Sequence, residues 1–194
     1  MGGETLESWR LFCTLCRRHG QDICNDVVRR KLNRFSARYN LADRFQSISA
    51  SEFSSDALRG YSAGLKLFMT YNAAELLGEA IGEPVHTWII ENSNLANQLR
   101  RTLQKAHLDE SGIFTSKGLR KKLSDFMNGT STDVRVAATA LRVMFAHGSF
   151  TPTGVDSLSK KGGDAIIELA SILNATCDSK FTEWVQRQTK RLNS

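Results

Sequence analysis

The sequence is short of residues that break helices. Only two prolines, Pro84 and Pro152, occur in 194 residues, so long stretches escape the lost amide donor and the clash that proline imposes on a helix. Alternating β-branched runs, the mark of strands, are also missing, while alanine and leucine recur at helical spacing through most of the length. The two absences predict an all-α fold. No apolar run approaches the roughly 18 residues of a membrane span. The opening MGGETLESWR lacks the basic-then-apolar pattern of a signal peptide, and Leu6 stands where a myristoylation signal wants serine or threonine. A cytoplasmic protein with no membrane partner is expected. Cysteine is scarce as well: Cys13, Cys16, Cys24 and Cys177 include one Cys-x-x-Cys, but no second pair and no histidine spacing completes a zinc site. They read as reduced, half-buried helix residues, and neither a metal nor a cofactor is expected.

What is present suffices for one core. At 41% hydrophobic and 24% charged, the chain predicts a single-domain helical bundle of about seven to nine helices. Its central part covers 56–174, with N-terminal helices in 4–39 and a C-terminal helix over 179–192 packed on it. The net charge of +6 favours an anionic partner, although ordinary solubilising surface accounts for such an excess equally well.

Residues 4–16 place Leu6, Trp9, Phe12, Cys13 and Cys16 at amphipathic-helix spacing, closed by Arg17, Arg18, His19 and Gly20. A second helix over 22–39, capped by Asp22, sets Ile23, Val27, Val28, Leu32 and Phe35 on one face. Arg29, Arg30, Lys31, Arg34 and Arg38 occupy the other. That face suits phosphates, and it suits a solvated helix surface as well. Serine-rich 47–55 reads as a loop. The central helix from 55 or 56 to about 80 carries an apolar stripe of Leu58, Tyr61, Leu65, Phe68, Met69, Asn72, Leu76 and Leu77. Small residues at Gly60, Ala63, Gly64, Ala73 and Ala74 would allow close helix approach. Glu75 interrupts this wall: buried, it needs a cation, for which Arg142 is the partner expected; on an exposed edge, water serves it.

A short helix over 85–90, led by Pro84, follows. Leu95, Leu99, Leu103 and Ala106 mark another, from 93 or 94 to about 107. A basic helix begins at 115 or 116, with Lys117, Arg120, Lys121 and Lys122 opposite Leu119, Leu123 and Phe126, and Asn128-Gly129 ends it. Ser131-Thr132-Asp133 caps a helix with Val134, Ala137, Ala138, Leu141, Met144 and Phe145 on a broad apolar face. A connection over 149–163 leads to two closing helices, 164–174 and 179–192.

The stretch LRVMFAHGSFTP, residues 141–152, sets Arg142 and His147 five residues apart at the end of that apolar helix. Five helical residues turn the direction by about 500°, net about 140°, so the two do not stack on one face. Unwinding at Gly148, a good left-handed C-cap, would bring them to one groove. A histidine near its neutral pKa can exchange a proton, and an arginine holds phosphate through paired charged hydrogen bonds. Metal-free RNA cleavage needs those parts: a base for the 2'-hydroxyl, charge stabilisation at phosphorus, and a proton for the leaving oxygen. One arginine and one histidine per chain are few, and a symmetric dimer would double them in a shared cleft. DNA lacks the 2'-hydroxyl, so such a site selects RNA. A histidine at a helix end also serves as a plain C-cap.

An alanine-rich helix ending in Arg-x4-His-Gly, in an all-helical chain whose long earlier helix holds Tyr71 and Glu75, resembles the HEPN superfamily with its Arg-x4-6-His motif. The resemblance is specific over 140–152 and loose over 56–174. It implies a helical homodimer and a metal-independent endoribonuclease with Arg142 and His147 as catalytic residues and Glu75 and Tyr71 in support. Family members serve in toxin-antitoxin, anti-phage or RNA-processing systems, so an antitoxin or other protein partner is implied too. Arg29, Arg30, Arg34, Arg120, Lys121 and Lys122 are the residues expected to draw RNA to the cleft. One position departs: Val143 stands where active members commonly carry Asn, Asp or His. Members that keep the fold as RNA-binding or structural dimers give the alternative, a non-catalytic helical interaction module. A DNA-binding regulator would need helix-turn-helix spacing around Arg29, which the sequence lacks.

Overall fold

The computed structural model describes residues 6–105, 117–148 and 160–193. Among these are seven α-helices: α1 (Trp9–His19), α2 (Asp26–Arg44), α3 (Ser55–Ile81), α4 (Ser93–Lys105), α5 (Lys117–Met127), α6 (Val134–Ala146) and α7 (Lys160–Leu192). The all-α bundle expected from the composition is the fold. None of these helices is long and apolar enough to cross a membrane. The expected end of α4 near His107 and the expected start of α5 at 115 or 116 lie outside the described residues, as does most of the connection 149–163.

The bundle is arranged around α3 and α7, about 40 and 50 Å long at the rise of a helix. They pack along each other; α2 lies against α3, α6 crosses α3, and α4 bridges α6 and α7. α1 reaches α7 through aromatic rings, with Phe12 edge-on to Phe181 at 5.7 Å and Trp9 at the same distance. Leu32, Phe35, Leu67, Leu77, Phe126, Met144 and Phe181 belong to one continuous apolar cluster.

Several boundaries differ from the local pattern, each for a physical reason. Gly20–Asp22 forms a 3₁₀ turn, so Asn25, and not Asp22, caps α2, its side chain accepting the Val28 amide at 2.9 Å. The expected helix over 85–90 is a single 3₁₀ turn, Val85–Thr87. Beyond it the chain extends and pairs Glu91 with Asp133, using the backbone groups a helix would have kept for itself. The two closing helices are one: residues 175–178 contain no glycine or proline, Cys177 is fully buried, and the Thr176 hydroxyl donates to the Ile172 carbonyl at 2.9 Å. Val27, expected on the inner face of α2, is exposed.

The largest inversion is in α3. Its buried face is the small one, built from Gly60, Ala63, Gly64, Ala73, Ala74 and Gly78 with Leu67, Tyr71 and Leu77. Leu58, Tyr61, Leu65, Phe68, Met69, Asn72 and Leu76 of the expected core stripe are only half-buried. Small residues let neighbouring backbones approach, and that contact carries more dispersion energy than a looser packing of large side chains. The four thiols are free. Cys13, Cys16 and Cys24 are half-buried, and burial pushes the Cys16 thiol up to about 11 beside its hydrogen-bonded neighbour Cys24.

Candidate active site around Arg142 and His147

α6 begins with a rigid anchor. Asp133 caps it, accepting the Arg135 amide at 3.2 Å and the Ile90 amide at 3.1 Å through one oxygen, and the Arg135 guanidinium at 2.7 Å through the other. Arg135, which the sequence pattern did not single out, is 2% exposed and also donates to the Trp88 carbonyl at 2.7 Å. From this fixed start, Ala137, Ala138, Ala140 and Leu141 run fully buried toward α3 and its neighbours.

Two turns along, α3 and α6 assemble a polar contact. Arg142 Nη2 donates to Glu75 Oε2 at 3.0 Å, the pairing expected for a carboxylate on that wall. The guanidinium carbon lies 5.5 Å from the centre of the Tyr71 ring, within cation–π range. The Tyr71 and Thr139 hydroxyl oxygens are 2.9 Å apart. Thr139 commits its one hydroxyl proton to the Arg135 carbonyl at 3.0 Å, so Tyr71 is the donor in that pair. Burial raises the Tyr71 hydroxyl above the ordinary phenol range, which keeps that proton in place at neutral pH. Thr139 lies three residues before Arg142 and Tyr71 four before Glu75, helical spacings at which the sequence could have revealed the set.

Arg142 is held but not saturated. Its Nε is buried and has no hydrogen-bond partner among the described residues. A buried donor left without an acceptor costs about 1–3 kcal/mol. The single contact with Glu75 uses one nitrogen, not the two-pronged geometry that arginine offers a carboxylate or phosphate. The side chain keeps 29% of its surface open. This is a guanidinium oriented by a carboxylate and a ring, with a donor unsatisfied.

His147 occupies the C-cap of α6. Its amide donates to the Val143 carbonyl at 3.0 Å, and Gly148 follows at φ 69°, the left-handed conformation expected of it. The imidazole is exposed and has no partner among the described residues. Arg142 and His147 lie about 7.5 Å apart along the axis. Phe145, between them in sequence, lays its ring over Gly64 and sits 6.2 Å from Phe68.

The two basic helices are not brought together. α2 packs on α3 and α7, whereas α5 packs on α6 and α4. On α2, Arg29 pairs with Asp26 at 2.7 Å and Lys31 with Glu79 at 3.1 Å. Arg30, Arg34 and Arg38 are exposed, with no partner among the described residues. On α5, Arg120 and Lys121 are exposed. Lys122 donates to the His86 carbonyl at 3.4 Å and lines a cavity of about 330 Å³ with Trp88, Asp133 and Arg135. That cavity adjoins the first turn of α6, about 18 Å along the helix from His147. No family model matches this sequence, no curated protein matches it, and no solved structure matches its fold.

Proposed function

We propose that this chain is a HEPN-like, metal-independent endoribonuclease that works as a homodimer, with Arg142 and His147 as its catalytic pair. The observation that carries this reading is the Arg142 guanidinium: seated by Glu75 through a single nitrogen and by the Tyr71 ring, it keeps 29% of the side-chain surface open. A non-bridging phosphate oxygen is an acceptor whose charge and geometry suit the exposed donors left over. His147, exposed one and a half turns away, is free to exchange a proton with solvent and substrate.

The reaction is an internal transesterification. One imidazole takes the proton of the ribose 2'-hydroxyl, the 2'-oxygen forms a bond to phosphorus, and the bond from phosphorus to the 5'-oxygen breaks. The leaving oxygen takes its proton from a second imidazolium, that of the second copy. Arg142 holds the phosphate and offsets the charge that builds on its oxygens. Glu75 and Tyr71 act as positioning residues through Arg142. The half-exposed side chains of α3, next to this pair, support the dimer: they are large, apolar and in line along the helix. Arg29, Arg30, Arg34, Arg120, Lys121 and Lys122 supply the field that attracts RNA, and binding weakens steeply as salt rises. A toxin-antitoxin, defence or RNA-processing role in the cytoplasm, with an antitoxin or another protein as regulator, is the setting this chemistry suits.

The test is incubation of the purified protein with mixed single-stranded and structured RNA in the presence of chelator. Cleavage that leaves 2',3'-cyclic phosphate ends, and falls by at least a hundredfold in both His147→Ala and Arg142→Ala, is expected. Undiminished cleavage in His147→Ala removes the catalytic assignment. A second reading, a non-catalytic interaction module, draws on Val143, an apolar neighbour for the motif arginine, and on the same apolar stripe of α3. Dimerisation without cleavage of any RNA, and with unchanged stability of the His147→Ala dimer, would favour it.

A further inference from the structure

We infer that the outward face of α2 is a docking site for an acidic amphipathic helix of a partner protein. The argument starts from where the side chains of α2 point. Leu32, Phe35, Ser36, Tyr39 and Ala42 face the bundle. Val27, Arg30, Arg34, Arg38 and Leu41 are exposed, and at 100° per residue they fall within an arc of about 80° on the opposite side. The spacing from Val27 through Arg30 and Arg34 to Leu41 is three, four and seven residues, the seam along which two helices pack.

Charge and apolarity on this face specify the occupant together. The three arginines rise one turn apart, about 6 Å each, and have no carboxylate partner among the described residues. Nearby acidic groups are engaged elsewhere: Asp26 binds Arg29, Glu79 binds Lys31, and Asp43 accepts from Asn174 of α7. A helix with acidic side chains at matching intervals would meet three unpaired guanidinium groups. Of five large apolar side chains exposed among the described residues, two bound this row, Val27 at 61% and Leu41 at 59%. A nucleic-acid backbone gains nothing from covering valine and leucine, whereas a helix with apolar residues about 21 Å apart buries both. That difference favours a protein helix over RNA as the contacting partner. The inference does not rest on the catalytic pair, since α2 lies on α3 and α7, not on the helix that carries Arg142. It shares with the ribonuclease reading only Arg30 and Arg34, whose field attracts RNA at a distance and whose guanidinium groups meet the partner helix in contact.

The experiment uses the full chain and a fluorescent synthetic helical peptide bearing three glutamates one turn apart, flanked on the same face by leucines. Anisotropy at physiological salt is expected to give micromolar binding, in keeping with a single-helix seam. The triple variant Arg30→Glu, Arg34→Glu, Arg38→Glu is expected to bind about tenfold or more weaker. The same variant should recover affinity for a peptide with lysines in place of the glutamates. All these positions are exposed, and circular dichroism with a thermal melt establishes that each variant is folded. Val27→Ala with Leu41→Ala is expected to weaken the peptide several-fold and leave the affinity of a fluorescent single-stranded RNA unchanged. Peptide affinity indifferent to that double variant overturns the inference, because the face is then merely basic. So does failure of the lysine peptide to recover binding, or RNA binding that depends on Val27 and Leu41.

Discussion

Asp133 accepts two backbone amides and a buried guanidinium, and each of those groups would be stranded without it. Arg135 is nearly sealed from water, so removing its counter-charge leaves a buried cation with only the Trp88 carbonyl for company. Asp133→Ala is therefore expected to destabilise the fold by about 3–5 kcal/mol, measured by urea denaturation. A loss below about 1 kcal/mol would show that water reaches Arg135 in its place. The sequence disclosed half of this unit. Asp133 was legible as a helix cap because the cap is local, read from the residues around it. Arg135 was not, because its second acceptor lies 47 residues away in an extended segment that looked helical. The candidate site divides in the same manner. Arg142, His147 and Glu75 were visible in the motif and on the wall facing it; the unsatisfied Nε depends on side-chain packing and has no sequence signal.

At the scale of elements, helical period was easy to read and the direction of a face was not. Along α3 both the large residues and the small ones recur at helical spacing, and periodicity alone cannot say which set turns inward. Contact with α2 and α7 decides for the small set. Gly64 shows how close α3 and α6 come: a Cβ there would sit 2.5 Å from two carbons of the Phe145 ring. Gly64→Ala is expected to cost about 1–3 kcal/mol by forcing that ring away, and the cost should largely vanish in a Phe145→Ala background. Equal losses in both backgrounds would mean that the ring is not the obstacle. The end of α3 is tied to α7 by Glu83, whose carboxylate meets Lys180 at 2.9 Å and Arg187 at 2.7 Å. Those hydrogen bonds lower the Glu83 pKa from its ordinary 4.5. A carboxylate with a lowered folded-state pKa stabilises the fold above its unfolded value and loses that contribution as pH falls through the folded value. Glu83→Gln should therefore melt below the parent at pH 7, by up to about 1 kcal/mol for so exposed a pair. The two curves should converge as pH drops below 4.5. A gap that persists at low pH would assign the effect to packing.

For the molecule as a whole, the feature that calls for a partner is the apolar row that α3 leaves half-buried. Leu58, Tyr61, Leu65 and Phe68 follow one another at intervals of three and four residues, with Met69 four after Leu65, all half-buried, over about 16 Å of helix. Such a row is the kind of contiguous apolar surface that marks an interaction site. The proposed ribonuclease gives it an occupant, since one chain offers a single Arg142 and a single His147, and the chemistry needs two imidazoles. A two-fold contact through α3 of each copy would bury the row against itself and carry Phe145, and with it the end of α6, to the edge of the shared cleft. Phe68→Glu with Leu65→Glu places two like charges on each side of that contact. In sedimentation equilibrium the parent is expected to be a dimer and this variant a monomer with the same helical content. If cleavage needs both histidines, the monomer also loses activity, and mixed dimers of parent and His147→Ala chains, each with a single imidazole, are expected to be as inactive as the His147→Ala dimer. A parent that sediments as a monomer at micromolar concentration would remove the second imidazole from the mechanism, and the row along α3 would then belong to a different partner.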